Sequence, residues 1–489
     1  MPSGETMSLP DDELDKVSTK SVDSPPSRSR MLEHRKSLHS LYYHPVTQVV
    51  LLGVICFLCP GMFNALTGLG GGGQVDATTS ANSNAALYST TSAVSFFAGS
   101  VFNKLGPRRT LQLGTLAYPL FFGSYLAINI HPGAGAFVVA AGAILGFSSA
   151  LLWTSQGSLM LAYATEAQKG VFIAIFWAIF NLGAVVGSAV SFGQNFQRTN
   201  NSVGNGTYVA FLVLSLIALT IPASMADPEN IIRADGTKVV IVRRPSWKTE
   251  VYGLWVTIRT DPMILLLFPM FFSSNYFYTW QFNDYNSAIF DIRARALNNF
   301  VYWLAQIFGS IAIGVALDQA RMTRRARAFL AWSTLFFGTF AVNIWAYFYQ
   351  RTYTRQSIPP DAQKMDIYSA DFAAHCWLMI LYGLLDSMWQ TTAYWLMGAM
   401  TNDPAKLAVF IGFYKSIQSA GGAGVWRADA VGLPYMNIFL STWGLMAGGL
   451  VFAFPMIYMR VKNHTDTEDE TLAAMRGAQM DQTAEKAPV

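Results

Sequence analysis

Charge is what this chain has least of. Only 13% of its 489 residues are Asp, Glu, Lys or Arg, about half of the roughly 25% a soluble domain carries. Apolar residues gather in long runs instead, which excludes disordered, collagenous and coiled-coil chains. Cysteine is scarce too, with only Cys56, Cys59 and Cys376. Cys56 and Cys59 form a CxxC with no second pair to complete a zinc site, and helical cysteines at that spacing face lipid or a neighbouring helix. The six histidines form no HExxH, and no Ser/His/Asp arrangement is present, so neither an enzyme nor a bound cofactor is expected. With 33 Lys and Arg against 29 Asp and Glu, the net charge of +4 is too balanced for a nucleic-acid partner.

What is there is hydrophobic, 52% of the chain. Apolar segments run at about 46–68, 84–103, 111–130, 134–163, 170–192 and 207–226. After a polar stretch they resume at about 262–282, 296–317, 328–350, 372–398, 406–425 and 434–459. Each matches the ~20 residues needed to cross a bilayer. The spacing predicts an all-α membrane protein of about twelve transmembrane helices in two six-helix halves, with the lipid bilayer as its first partner. Its parts are a disordered tail (1–45), an N-terminal half (46–226), a basic central loop (227–261), a C-terminal half (262–459) and a C-terminal tail (460–489). The Ser-, Pro- and charge-rich first segment has no apolar core before residue 48 and is no signal peptide.

Placing both termini in the cytoplasm puts 25 of the 33 Lys and Arg on the inner side and seven outside, a positive-inside bias spread over many loops. The outer loop near 193–206 then holds two glycosylation sequons, at Asn200 and Asn205. A third, Asn463-His-Thr, falls inside and is expected to stay unmodified. The expected location is an integral membrane, plasma membrane or endomembrane.

The halves share a landmark after their second helix. The first reads Gly99-Ser-Val-Phe-Asn103-Lys-Leu-Gly-Pro-Arg108-Arg109, the second Gly314-Val-Ala-Leu-Asp318-Gln-Ala-Arg321-Met-Thr-Arg324-Arg325. The glycine allows two helices to approach, and the polar residue and arginines can bond to neighbouring helix ends. Two copies at equivalent positions point to a latch that holds the cytoplasmic side in one state and breaks in the other. The first copy resembles the loop signature of the major facilitator superfamily, with Asn103 in place of the usual acid.

A closer resemblance runs through Asn64-Ala-Leu-Thr-Gly-Leu-Gly-Gly-Gly-Gly-Gln74, Trp153-Thr-Ser-Gln-Gly157, Asn181-Leu-Gly-Ala-Val-Val-Gly187, Arg295-Ala-Leu-Asn-Asn-Phe-Val-Tyr-Trp-Leu304, Asp386-Ser-Met-Trp-Gln390, Tyr394-Trp-Leu-Met-Gly398 and Phe413-Tyr-Lys-Ser-Ile-Gln-Ser-Ala420. These look like the Unc-ninety-three-like branch of that superfamily in its fungal form. The resemblance implies the twelve-helix fold and roles in ion homeostasis, potassium-channel regulation or receptor escort.

Gly68-Leu-Gly70-Gly-Gly-Gly73 satisfies GxGxxG, but it follows a membrane helix, with no βαβ unit, so it reads as an outer loop and gate element. Asp386 and Lys415 are ionisable residues inside late spans, at a cost of about 2.5–3.5 kcal/mol each on insertion scales. Their depths are compatible with an ion pair that couples a proton or cation. Asn64, Gln156, Asn181 and Gln390 are candidates for the same pathway, with Gln281 and Gln306 beside them. Asn275, Asp284 and Arg295 are candidates for an outer gate. Three GxxxG pairs, Gly142/Gly146, Gly183/Gly187 and Gly444/Gly448, are expected at close helix contacts. The expected function is movement of a small solute or ion by alternating access. The rival is a non-transporting regulator or escort with a membrane-protein partner.

Overall fold

The computed structural model describes residues 40–74, 77–164, 169–197, 202–233, 236, 238–239, 252, 255, 258–259, 262–319, 321–360, 363–400 and 404–461. Most of both tails, most of the central loop, and the sequons at Asn200 and Asn463 lie outside them.

Twelve helical passages follow one another among the described residues. They are α1 (Pro45–Gly68), α2 (Ala77–Leu105), α3 (Pro107–Ile130), α4 (Gly135–Tyr163), α5 (Lys169–Asn195) and α6 (Asn205–Ser224), then α7 (262–289), α8 (Ile292–Leu317), α9 (Arg324–Gln350), α10 (Phe372–Met400), α11 (Pro404–Ala430) and α12 (Tyr435–Arg460). With no strands but isolated bridges among these residues, the spans satisfy their backbones by helical bonds, as a bilayer demands.

Packing repeats between the halves. In the first, α1 lies against α5, α2 and α3 against α4, and α3 against α6; in the second, α7 lies against α11, α8 and α9 against α10, and α9 against α12. The halves meet through α2 on α11 and α5 on α8, an exchange of equivalents that leaves the twofold pattern intact. Glycines make the close contacts. A Cβ on Gly146 of α4 would lie 2.3 Å from the Leu87 carbonyl of α2, and one on Gly383 of α10 would lie 2.2 Å from the Tyr302 carbonyl of α8. Gly142, Gly183 and Gly187 are equally enclosed. Gly444 and Gly448 are not: nothing lies within 4 Å of an added Cβ at either, nor at Gly314 of the second loop signature. Those glycines therefore serve no close helix approach, contrary to the GxxxG expectation.

The leading helix of each half is irregular. In α1 the turns over Phe57–Gly61 widen to a π-helix around Pro60, whose missing N–H and ring disrupt the ordinary ladder. In α7, Trp280–Ser287 forms a π-helix whose eight residues are all buried. Such segments re-aim side chains and recur at functional sites.

Eight of the twelve helices are long and apolar enough to span a membrane by length and composition. The other four are α2, α7, α10 and α11. All four carry polar side chains into the bundle. Helix α2, for example, starts seven residues before its apolar run, and its first turns bury Ser80, Ser83 and Asn84.

Candidate functional site

Asp386 is 2% exposed. One carboxylate oxygen accepts from Tyr278 Oη at 2.9 Å, Tyr302 Oη at 2.9 Å and Gln306 Nε2 at 2.5 Å; the other accepts from Gln390 Nε2 at 3.1 Å. All four donors are neutral. Tyr302 and Gln306 of α8, and Gln390 with Asp386 itself on α10, are pairs four residues apart that share a helix face; Tyr278 comes from α7. Tyr302 Oη also stands 2.9 Å from Gln281 Oε1.

The ion pair expected between Asp386 and Lys415 does not form. Lys415 Nζ donates to Gln418 Oε1 at 3.0 Å. Gln418 Nε2 donates to Gln390 Oε1 at 3.2 Å, and Gln390 donates to the carboxylate. Two amides therefore separate the charges, with Tyr414 Oη donating to the same Gln390 oxygen at 3.2 Å. Lys415 leaves α11 towards the first half, where its ammonium lies 4.9 Å from the ring centre of Trp153 on α4. The relay thus runs from inside the second half to the boundary with the first.

The other pathway candidates stay apart from this cluster. Gln156 is buried and donates to Met160 Sδ at 3.4 Å within α4. Asn181 is buried with its side-chain oxygen unbonded, and Asn64 is half-buried on α1. Tyr278, Tyr302, Tyr414 and Gln418 had no individual signal in the sequence, since aromatic and amide residues in spans more often pack or bond locally.

A second cluster joins the halves at the end where α1 meets α2, the glycine-loop end. Gly70, Gly71, Gly72 and Gly73 all have positive φ; a Cβ on Gly70 would sit 2.1 Å from the Phe282 carbonyl of α7. Arg295 of α8, fully buried, donates to the Leu69 carbonyl at 2.7 Å and the Gly70 carbonyl at 2.5 Å. Asn299 donates to the Ala65 carbonyl at 2.6 Å, Asn286 to the Gly68 carbonyl at 3.0 Å, and Gly71 N–H donates to Asn283 at 2.7 Å. Asn283 continues to Asp429 at 2.7 Å. Asp429 is paired with Arg355, which also stands 3.6 Å from Asp284. The glycine loop is thus clamped from the opposite half. Asn275 takes no part in this clamp.

At the opposite end, where the described chain begins and ends, lie the two loop signatures. Arg108 pairs with Asp227 at 3.3 Å, both well exposed, a contact worth about 0–1 kcal/mol. Arg325 lies 4.2 Å from the Tyr458 ring. Gly99 and Asn103 lie in the last turns of α2, Arg109 and Asp318 are exposed, and Arg324 opens α9. Asn205 is exposed at the start of α6 and accepts from Asn129 at 2.7 Å.

The fold defines a class: a multipass membrane protein of the major facilitator type. It matches a D-xylose–proton symporter with a TM-score of 0.58 at 13% identity, over 86% of this chain and 99% of that one. The sequence narrows it further. Residues 71–452 match the UNC-93 family, described as ion channel regulatory protein UNC-93. An UNC93-like protein of Schizosaccharomyces pombe is 43% identical over 90% of this chain and 88% of its own length. UNC93-like protein 1 of Arabidopsis thaliana is 39% identical over 87% and 92%. The chain belongs to the UNC-93 family.

Proposed function

We propose that this protein moves a small solute or ion across a membrane by alternating access, with Asp386 as the site that takes up and releases a proton or cation. The observation that carries this reading is a buried carboxylate held by four neutral donors and no contacting base. Removing a charge from water without a counter-charge costs several kcal/mol, and an intramembrane acid of this kind is functional by default. Neutral donors that can turn serve the ionised and the occupied state alike. The amide relay carries a change at Asp386 to Lys415, at the boundary between the halves.

In the same proposal the halves, 46–226 and 262–459, are the moving bodies, joined by 227–261. Both termini are cytoplasmic, in keeping with the Lys and Arg bias, and Asn200 and Asn205 are glycan acceptors on the outer side. The glycine-loop clamp is then the closed outer gate, and the Gly99–Arg109 and Asp318–Arg325 segments are the inner latch.

The test compares element and metabolite content in cells lacking the protein, complemented by wild type or Asp386→Asn at matched expression. A change in one solute restored only by wild type supports transport. Full rescue by Asp386→Asn would sink the coupling role. It would favour a second reading, supported by the family's description, in which the scaffold regulates an ion channel or other membrane protein.

A further inference from the structure

The Lys415 ammonium is enclosed by rings: Trp153 at 4.9 Å, Tyr414 at 5.3 Å and Tyr394 at 5.6 Å. An ammonium has three protons to donate, and the acceptor it meets is the Gln418 amide oxygen at 3.0 Å. Among the described residues no carboxylate lies within salt-bridge distance of it. The π faces lower the cost of an unpaired cation but do not neutralise it. Rings continue the surface across the boundary between the halves. Trp153 stacks on Trp177 of α5 with centres 6.5 Å apart, and Trp177 meets Tyr394 of α10 at 5.8 Å. Lys415, Trp153, Trp177, Tyr394 and Gln390 all keep part of their surface accessible. The accessible surface there therefore combines flat apolar rings, an uncompensated cation and an amide.

We propose that the space between α4, α5, α10 and α11 binds an amphipathic organic anion, its carboxylate on Lys415 and its flat apolar body against Trp153, Trp177 and Tyr394. The charge is matched by a charge-assisted hydrogen bond, and the rings supply the apolar contact a small-molecule site uses for most of its area. A cationic ligand is disfavoured because Lys415 already occupies the π faces that would hold it. This deepens the transport reading by naming a substrate class, but binding itself is measurable without transport.

Full-length protein in detergent is titrated with benzoate, benzylammonium and benzyl alcohol, which share a ring and differ in charge. Tryptophan fluorescence and Tm are followed. Benzoate should bind about tenfold more tightly than the other two, Lys415→Met should remove that advantage, and Lys415→Arg should keep it. Benzylammonium binding as tightly as benzoate, benzoate affinity unchanged in Lys415→Met, or no benzoate binding overturns the proposal. If Lys415→Met does not fold, Trp153→Leu replaces it: weakened benzoate binding supports the site and unchanged binding overturns it. Loss of the cellular phenotype in Asp386→Asn without benzoate binding would leave transport standing and sink the anion site. Benzoate binding with full rescue by Asp386→Asn would do the reverse.

Discussion

A hydrogen bond to a charged group is worth about 1.5–3 kcal/mol and one between neutral groups about 0.5–1.5, so the two tyrosines at opposite ends of the relay should behave differently. Tyr302→Phe removes a donor to the Asp386 carboxylate and should lower unfolding free energy in detergent by about 1.5–3 kcal/mol. Tyr414→Phe removes a donor to the neutral Gln390 amide and should cost about 0.5–1.5 kcal/mol. Equal losses in denaturant titrations would mean that Asp386 is not charged in the resting protein. The sequence made Asp386 and Lys415 visible because a charge inside an apolar run has few innocent explanations. It did not make their true connection visible. That depends on which way Lys415 leaves α11 and on Gln390 and Gln418, whose amides look like any others in a membrane helix. Asp429 and Arg355 were hidden for another reason: they lie 74 positions apart, at a helix end and in a loop, where charge is ordinary.

At the scale of the element, the glycine loop needs its glycines for backbone shape and for space. Gly70→Ala places a methyl group against the Phe282 carbonyl at φ +72°. It should cost about 1–3 kcal/mol and raise the labelling rate of an engineered cysteine below the clamp. An unchanged labelling rate would show that the loop does not seal that end. The GxxxG pairs separate in the same physical way. Gly146→Leu should abolish assembly of α4 on α2, whereas Gly448→Leu, with open space around it, should leave Tm and expression close to wild type. Equal damage from both would contradict this packing. Sequence spacing alone could not sort these pairs, because GxxxG marks a smooth helix face without saying whether a neighbour covers it. The same limit applies to α2, whose polar first turns read as loop until α4 is seen lying against them.

For the whole molecule, the proposed alternating access makes α2 on α11 and α5 on α8 the seams along which the halves would slide. Asn82 of α2 accepts from Arg427 of α11 at 2.7 Å on the exposed rim of the glycine-loop end. The double variant Asn82→Cys with Arg427→Cys, bridged by a short bis-methanethiosulfonate reagent that spans the reach of the lost arginine, should lose the cellular activity, with recovery on reduction. Activity that persists in the cross-linked protein would argue against opening at that end. The twelve-helix pattern itself was legible because the bilayer imposes a length that any apolar run reveals. The ionisable residues held within α10 and α11 carry a consequence for biogenesis. Passage from the translocon into lipid favours apolar segments and penalises charged ones, so these two are poor candidates to enter one at a time as they leave the ribosome. Consecutive α10 and α11 hold Asp386 and Lys415, and their polar residues find partners on each other, on α7, α8 and α9, and on the first half. The later part of the chain should therefore linger beside the insertion machinery until its partners are in place, and a mutation that slows α8 should trap α10 and α11 outside the membrane.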